Sequence, residues 1–264
     1  MVGIYSFLER GPYGDIIWQP TLANYARALD PLYLRIYRKS FLLAASTTAV
    51  CTLLGLPLAY TIATAAKRWQ PSLLGLLMVP FLTNFVVRVY AIRLILAAEG
   101  PINLGLLSLG LITEPIMMTD STMAVALGMI TNYLPFMVLP IYVVFEKFDF
   151  AIIEAAKDLG AKGWPVFSRV ILPLAKPGLL SGLSLVFVPV LGEYMIPDLL
   201  GGAKTLMLGG LITEQFLRVR DWPFGAALAM ILCIAMVSVL WLQHRYRGTM
   251  ASHGSGGRSG YSRR

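Results

Sequence analysis

Long apolar stretches separated by short bands of charge are the feature that most restricts how this sequence can fold. A helix crossing a bilayer needs about 20 mostly apolar residues, because its amides and carbonyls find no water in hydrocarbon and must be satisfied within the segment. Five stretches qualify: 41–66, 73–98, 122–145, 174–197 and 224–243. Pro57, Pro80, Pro135, Pro140 and Pro189 lie inside them. Neighbouring helices accommodate such prolines, which bend helices around a pathway. The expected fold is all-α, a polytopic transmembrane helical bundle with five complete spans.

Composition agrees. The 264 residues are 57% hydrophobic and only 14% charged, against about 25% charged in soluble domains. The net charge of +8 fits the Lys and Arg excess of cytoplasmic loops. No basic stripe with interleaved aromatics suggests a nucleic-acid surface. Cys51 and Cys233 each sit in an apolar run without a ligand-spaced partner, and His244 and His253 lie at and beyond the end of the last span. A metal or catalytic role therefore has little support. Residues 1–8 are apolar but lack a basic leader and a small-residue cleavage site, so they are not expected to form a signal peptide.

Orientation follows from Lys and Arg near the span ends. Lys67 and Arg68, the loop 146–173 and the C-terminal tail fall on one side and are together basic, whereas 99–121 contains no Lys or Arg. The basic side is predicted to be cytoplasmic, in a cell or inner membrane. Arg10, Arg27, Arg35, Arg38 and Lys39 run against this rule, because they precede the first span on the side assigned as external. Three regions result: an external segment 1–39, a transmembrane domain 40–243, and a basic tail 244–264. The tail is rich in Ser, Gly and Arg from Gly248 onward and is expected to be disordered.

The loop 146–173 carries the most information. Asp149 suits an N-cap and Gly160 a C-terminal stop, enclosing a helix with Ile152, Ile153, Ala156 and Leu159 on its apolar face. Pro165 then opens a second short helix, with Phe167, Val170 and Ile171 on one face, and Pro173 is expected to end it. Such a bent, partly apolar pair suits either docking into a groove of another protein or lying in the lipid interface.

Glu154-Ala155-Ala156, then Gly160, then Ile171-Leu172-Pro173 resembles the EAA loop of permease subunits of ATP-binding-cassette importers. Further segments are similar to the spermidine/putrescine subfamily, over roughly residues 30–241: Asp30-Pro31-Leu32-Tyr33, Val87-Arg88-Val89-Tyr90, Leu134-Pro135 through Pro140-Ile141-Tyr142, Gly192-Glu193 through Gly201-Gly202, and Arg220-Asp221-Trp222-Pro223. The resemblance implies the type I importer permease fold. It also implies that Gly160 makes the turn between two coupling helices, and that the segment from Glu154 through Ala155 and Ala156 to Asp158 contacts an ATPase, with Pro173 closing the motif. Permeases of this kind have one more span before the one at Phe41, and 1–8 matches only its last two turns, which points to a truncated or mis-assigned start.

A polyamine is a flexible multiple cation, so its path calls for carboxylates and aromatic faces. Glu193 is expected inside the fourth span beside Tyr194, with Asp198 near the external end; these are the lead pathway residues, and Tyr90 and Tyr133 the weaker aromatic ones. Glu193 has an equally supported alternative, a structural ion pair with Arg88 or Arg93. Gly178 and Gly182 form a small-xxx-small pattern that reads as helix packing. Gly201-Gly202-Ala203-Lys204-Thr205 lacks the glycine that precedes the lysine of a phosphate-binding loop. No cofactor is therefore expected in this chain, with ATP and Mg held by partner ATPase subunits. A second permease, an external binding protein and membrane lipid complete the implied partners. An importer of an anion or ferric iron, and a secondary transporter, are the alternatives.

Overall fold

The computed structural model describes residues 1–12, 14–202 and 205–254. Its elements run α1 (Val2–Tyr5), β1 (Leu8–Arg10), β2 (Ile16–Pro20), α2 (Ala23–Ala28), α3 (Pro31–Thr64), α4 (Gln70–Leu82), α5 (Phe85–Ile95), α6 (Pro101–Ser108), α7 (Thr122–Glu146), α8 (Ala151–Asp158), α9 (Trp164–Val166), α10 (Leu172–Leu191), α11 (Met195–Leu200), α12 (Leu208–Glu214) and α13 (Trp222–Gly254). Among the described residues, four helical segments are long and apolar enough to cross a membrane: α3, α7, Trp164–Leu191 and Trp222–Gln243. The expected second span, 73–98, is not one straight helix. It is the pair α4 and α5, bent by 91°. Thr83 and Asn84 make the corner: the Asn84 side chain accepts from Val86 N at 2.9 Å and so starts α5 afresh.

Helices α3, α7 and α10 pack together as the centre of the bundle. Met129, Met137, Val138, Ile141 and Phe145 of α7 are fully or almost fully buried there. Lipid is as apolar as these side chains, so close packing rather than water exclusion holds such a core. Glycines permit the approach. A Cβ on Gly178 would stand 2.7 Å from the Pro140 carbonyl oxygen, and one on Gly182 would stand 2.6 Å from Met137 Sδ. The pair thus lies at the α10–α7 crossing. Leu53 of α3 and Val237 of α13 face outward, both more than 60% exposed, as lipid-facing residues should.

Several boundaries differ from expectation. Helix α3 begins at Pro31 rather than 41, because Asp30 caps it through Leu32 N at 2.9 Å and Pro31 suits the first turn. Pro173 does not end the second loop helix. A π-helical turn, Phe167–Ile171, joins α9 to α10, so Trp164–Leu191 is continuous. The hydrogen-bond ladder changes register at that turn, which is where the missing N–H of Pro173 and its crowding of the preceding turn are most easily absorbed. Helix α13 runs past 243 to Gly254, where disorder was expected from Gly248. Propagating an existing helix adds one hydrogen bond per residue without a new nucleus. The rest of the expected tail, 255–264, lies outside the described residues.

Residues 1–12 and 14–30 form a folded cap on the start of α13. The antiparallel hairpin β1–β2 pairs Glu9 with Ile17 and Arg10 with Ile16. Asn24 Nδ2 donates to the carbonyls of Ser6 and Leu8, and the Tyr25 hydroxyl donates to Ser6 Oγ. Asp221, only 1% exposed, anchors this cap. It accepts from Arg27 at 2.9 Å and lies 3.6 Å from Arg10, while its other oxygen caps α13 through Phe224 N. The Arg27 guanidinium also covers the Phe224 ring at 4.1 Å. Two of the five arginines and lysines that run against the charge rule are thereby neutralised.

Candidate functional site

The loop 146–173 folds as two short helices meeting at a glycine corner. Phe150 rather than Asp149 takes the N-cap position of α8, one residue later than expected, while Asp149 Oδ1 accepts from Ala151 N at 3.0 Å just ahead of the helix, and Ile153 is buried. The rest of the expected apolar face is not: Ile152 is exposed and Leu159 is 90% exposed, as is most of Trp164. Gly160 and Gly163 adopt φ of +86° and +47°, in the region that favours glycine. A Cβ at either would meet nothing within 4 Å, so the demand for glycine is conformational rather than steric. Glu154, Ala155 and Asp158 are exposed and Ala156 is half-buried. The exposed carboxylates and apolar side chains thus form one projecting surface.

The expected pathway residues divide into two groups. Glu193 does not lie inside a span: α10 ends at Leu191, and Glu193 sits in the break before α11. Its Oε1 accepts from Tyr194 N and Met195 N at 3.0 and 2.9 Å, and its Oε2 accepts from the Tyr133 hydroxyl at 2.6 Å. The break is tightly packed. A Cβ on Gly209 of α12 would lie 2.1 Å from the Gly192 carbonyl oxygen, so only glycine fits. Neither arginine pairs with Glu193. Arg88 donates to Asn132 Oδ1 at 2.6 Å and to the Pro80 carbonyl, beside the Phe81 ring. Arg93 donates to the Leu199 carbonyl and lies 3.5 Å from Asp120.

Tyr194 and Asp198 line a separate open cleft of about 720 Å³, together with Thr213, Glu214, Leu217 and Arg218. Glu214 was not singled out from sequence; only the packing of α11 near α12 reveals it. A π-helical turn, Gln215–Val219, follows it directly. Tyr90 stands half exposed on α5 and is not among the cleft residues.

Residues 32–247 match the family described as the binding-protein-dependent transport system inner membrane component. The chain belongs to that family. As an inner-membrane, multi-pass component it works in a transport complex with a binding protein and a separate ATPase, and has no catalytic reaction of its own. It is 43% identical over 240 residues to the spermidine/putrescine transport system permease protein PotB of Salmonella typhimurium, covering 91% of this chain and 84% of that protein. The PotB of Escherichia coli is 42% identical, over 91% and 87%, and that of Haemophilus influenzae 37%, over 91% and 84%. In fold, this inner membrane component is similar to a chain of the bacterial alginate ABC transporter, with a TM-score of 0.72 at 14% identity, covering 84% of this chain and 81% of that one.

Proposed function

We propose that this chain is the permease subunit of an ATP-driven importer of polyamines, of the spermidine and putrescine class. The observation that carries the reading is the identity of 42–43% to two PotB permeases across 91% of the chain. The cleft supports it: Asp198 and Glu214 supply two carboxylates and Tyr194 an aromatic face, the groups a flexible diamine needs. Against these two carboxylates the cleft lining sets one cation, Arg218, so its acidic groups outnumber its basic one.

The loop 146–173, in this reading, faces the cytoplasm with the C-terminus and docks on the ATPase. Exposed Ile152, Leu159 and Trp164 suit a groove in a partner, with Glu154 and Asp158 at its edge. Because Trp164–Leu191 is continuous, movement of the docked end travels along one helix to the Glu193 break. Opening and closing of the ATPases thereby switch access to the cleft between the two sides.

The test is labelled putrescine and spermidine uptake by the reconstituted complex, with sulfate and ferric ion as competitors. Asp198→Asn and Glu214→Gln are each expected to lower polyamine uptake at least about fivefold, on the scale of one lost charge-assisted hydrogen bond. Unchanged uptake in both, or competition by sulfate, would remove the polyamine assignment.

A further inference from the structure

Five basic residues precede the first apolar stretch, and Asp221 accounts for Arg10 and Arg27. The remaining three, Arg35, Arg38 and Lys39, line one cleft of about 500 Å³ with Leu42, Leu43, Ser46 and Thr122. The spacing places them together. Positions 35, 38, 39, 42 and 46 follow the three- and four-residue steps of a single α-helical face. Thr122, the first residue of α7, closes the other wall.

Along this face the chemistry changes in one direction. Cations occupy the first two turns, then Leu42, 59% exposed, and Leu43 form an apolar floor, and Ser46 follows. The distance from residue 35 to residue 46 is about 16 Å along the axis. That order matches the profile of a phospholipid standing at the membrane boundary, with its phosphate at the cations and its chains on the leucines. Among the described residues, neither Arg35 nor Arg38 is in an ion pair with a carboxylate. Both are exposed in the cleft.

We propose that this cleft binds the headgroup of an anionic phospholipid. The bound phosphate supplies Arg35 and Arg38 with the negative charge that Asp221 supplies to Arg10 and Arg27, and so lets a basic helix start sit at the membrane surface. An acidic protein segment would satisfy the charges but not the exposed Leu42, which lies where the helix turns apolar. The assignment is independent of the substrate carried.

The experiment titrates dioleoylphosphatidylglycerol and dioleoylphosphatidylcholine into the full-length chain in detergent, with bound lipid read by native mass spectrometry. The anionic lipid is expected to bind at least about tenfold more tightly. Arg35→Gln/Arg38→Gln/Lys39→Gln is expected to reduce that preference below about twofold, while Arg35→Lys/Arg38→Lys keeps it. Should the triple variant lose its thermal transition, the single variants Arg35→Gln and Arg38→Gln decide, each expected to cut the preference about threefold. Equal binding of the two lipids by the unaltered chain overturns the proposal, as does a preference that survives the substitutions. Displacement of the lipid by equimolar inorganic phosphate would identify a free-anion pocket and also overturn it. Loss of a co-purifying subunit with unchanged lipid preference would assign the cleft to a protein partner instead.

Discussion

Asp221 shows how one buried side chain can decide whether a segment folds. It is almost wholly enclosed, while its partners Arg10 and Arg27 remain 40% and 47% exposed. Removing its charge leaves both guanidinium groups against a neutral amide, and Asp221→Asn is expected to cost on the order of 2 kcal/mol, below the full penalty of a buried pair because the arginines keep water. Limited trypsin digestion checks this: cleavage after Arg10 and Arg27 should become fast in the variant, and a digestion rate equal to the parent's would contradict it. The glycine corner behaves differently. Since a side chain at Gly160 would touch nothing, its cost comes from φ alone, about 1–2 kcal/mol. Gly160→Ala and Gly160→Trp should raise hydrogen exchange across 151–171 to a similar extent, with Gly160→Asn milder; a much larger effect of Trp would show that the space is occupied after all.

At the scale of elements, hydropathy found the four straight spans, because a run of leucine, valine and alanine has few alternatives in a bilayer. It missed features that depend on a single polar atom. The corner between α4 and α5 hangs on Asn84, one amide side chain within a stretch whose average remains apolar, and an Asn capping the residue two ahead is the signal that could have found it. Glu193 was similarly absorbed into the fourth span, though the adjacent Gly192 already weakens a helix. Side-chain pairings were not legible at all: Glu193 with Tyr133, and Arg93 with Asp120, join residues 60 and 27 positions apart. The Gly178 pattern was legible because small residues four apart share a face. Gly178→Leu should force the α10–α7 crossing apart and cost about 1–3 kcal/mol in thermal unfolding. Gly75→Leu, where nothing lies within 4 Å, serves as the control and should be close to neutral.

Across the whole molecule, the continuity from Trp164 to Leu191 ties the projecting loop to the break near the cleft. Inserting two glycines between Ser168 and Arg169 should preserve binding of the ATPase and its basal hydrolysis, yet abolish stimulated uptake; retained uptake would mean that force takes another route. The fate of Glu193 at the far end of that helix follows from its geometry. Both of its oxygens are already committed, one to the first amides of α11 and the other to a tyrosine of α7. An incoming ammonium group could recruit this carboxylate only by prising loose one of those attachments. Cargo recognition at that point would therefore be inseparable from unlocking, and a molecule too weakly charged to compete would leave the bolt in place.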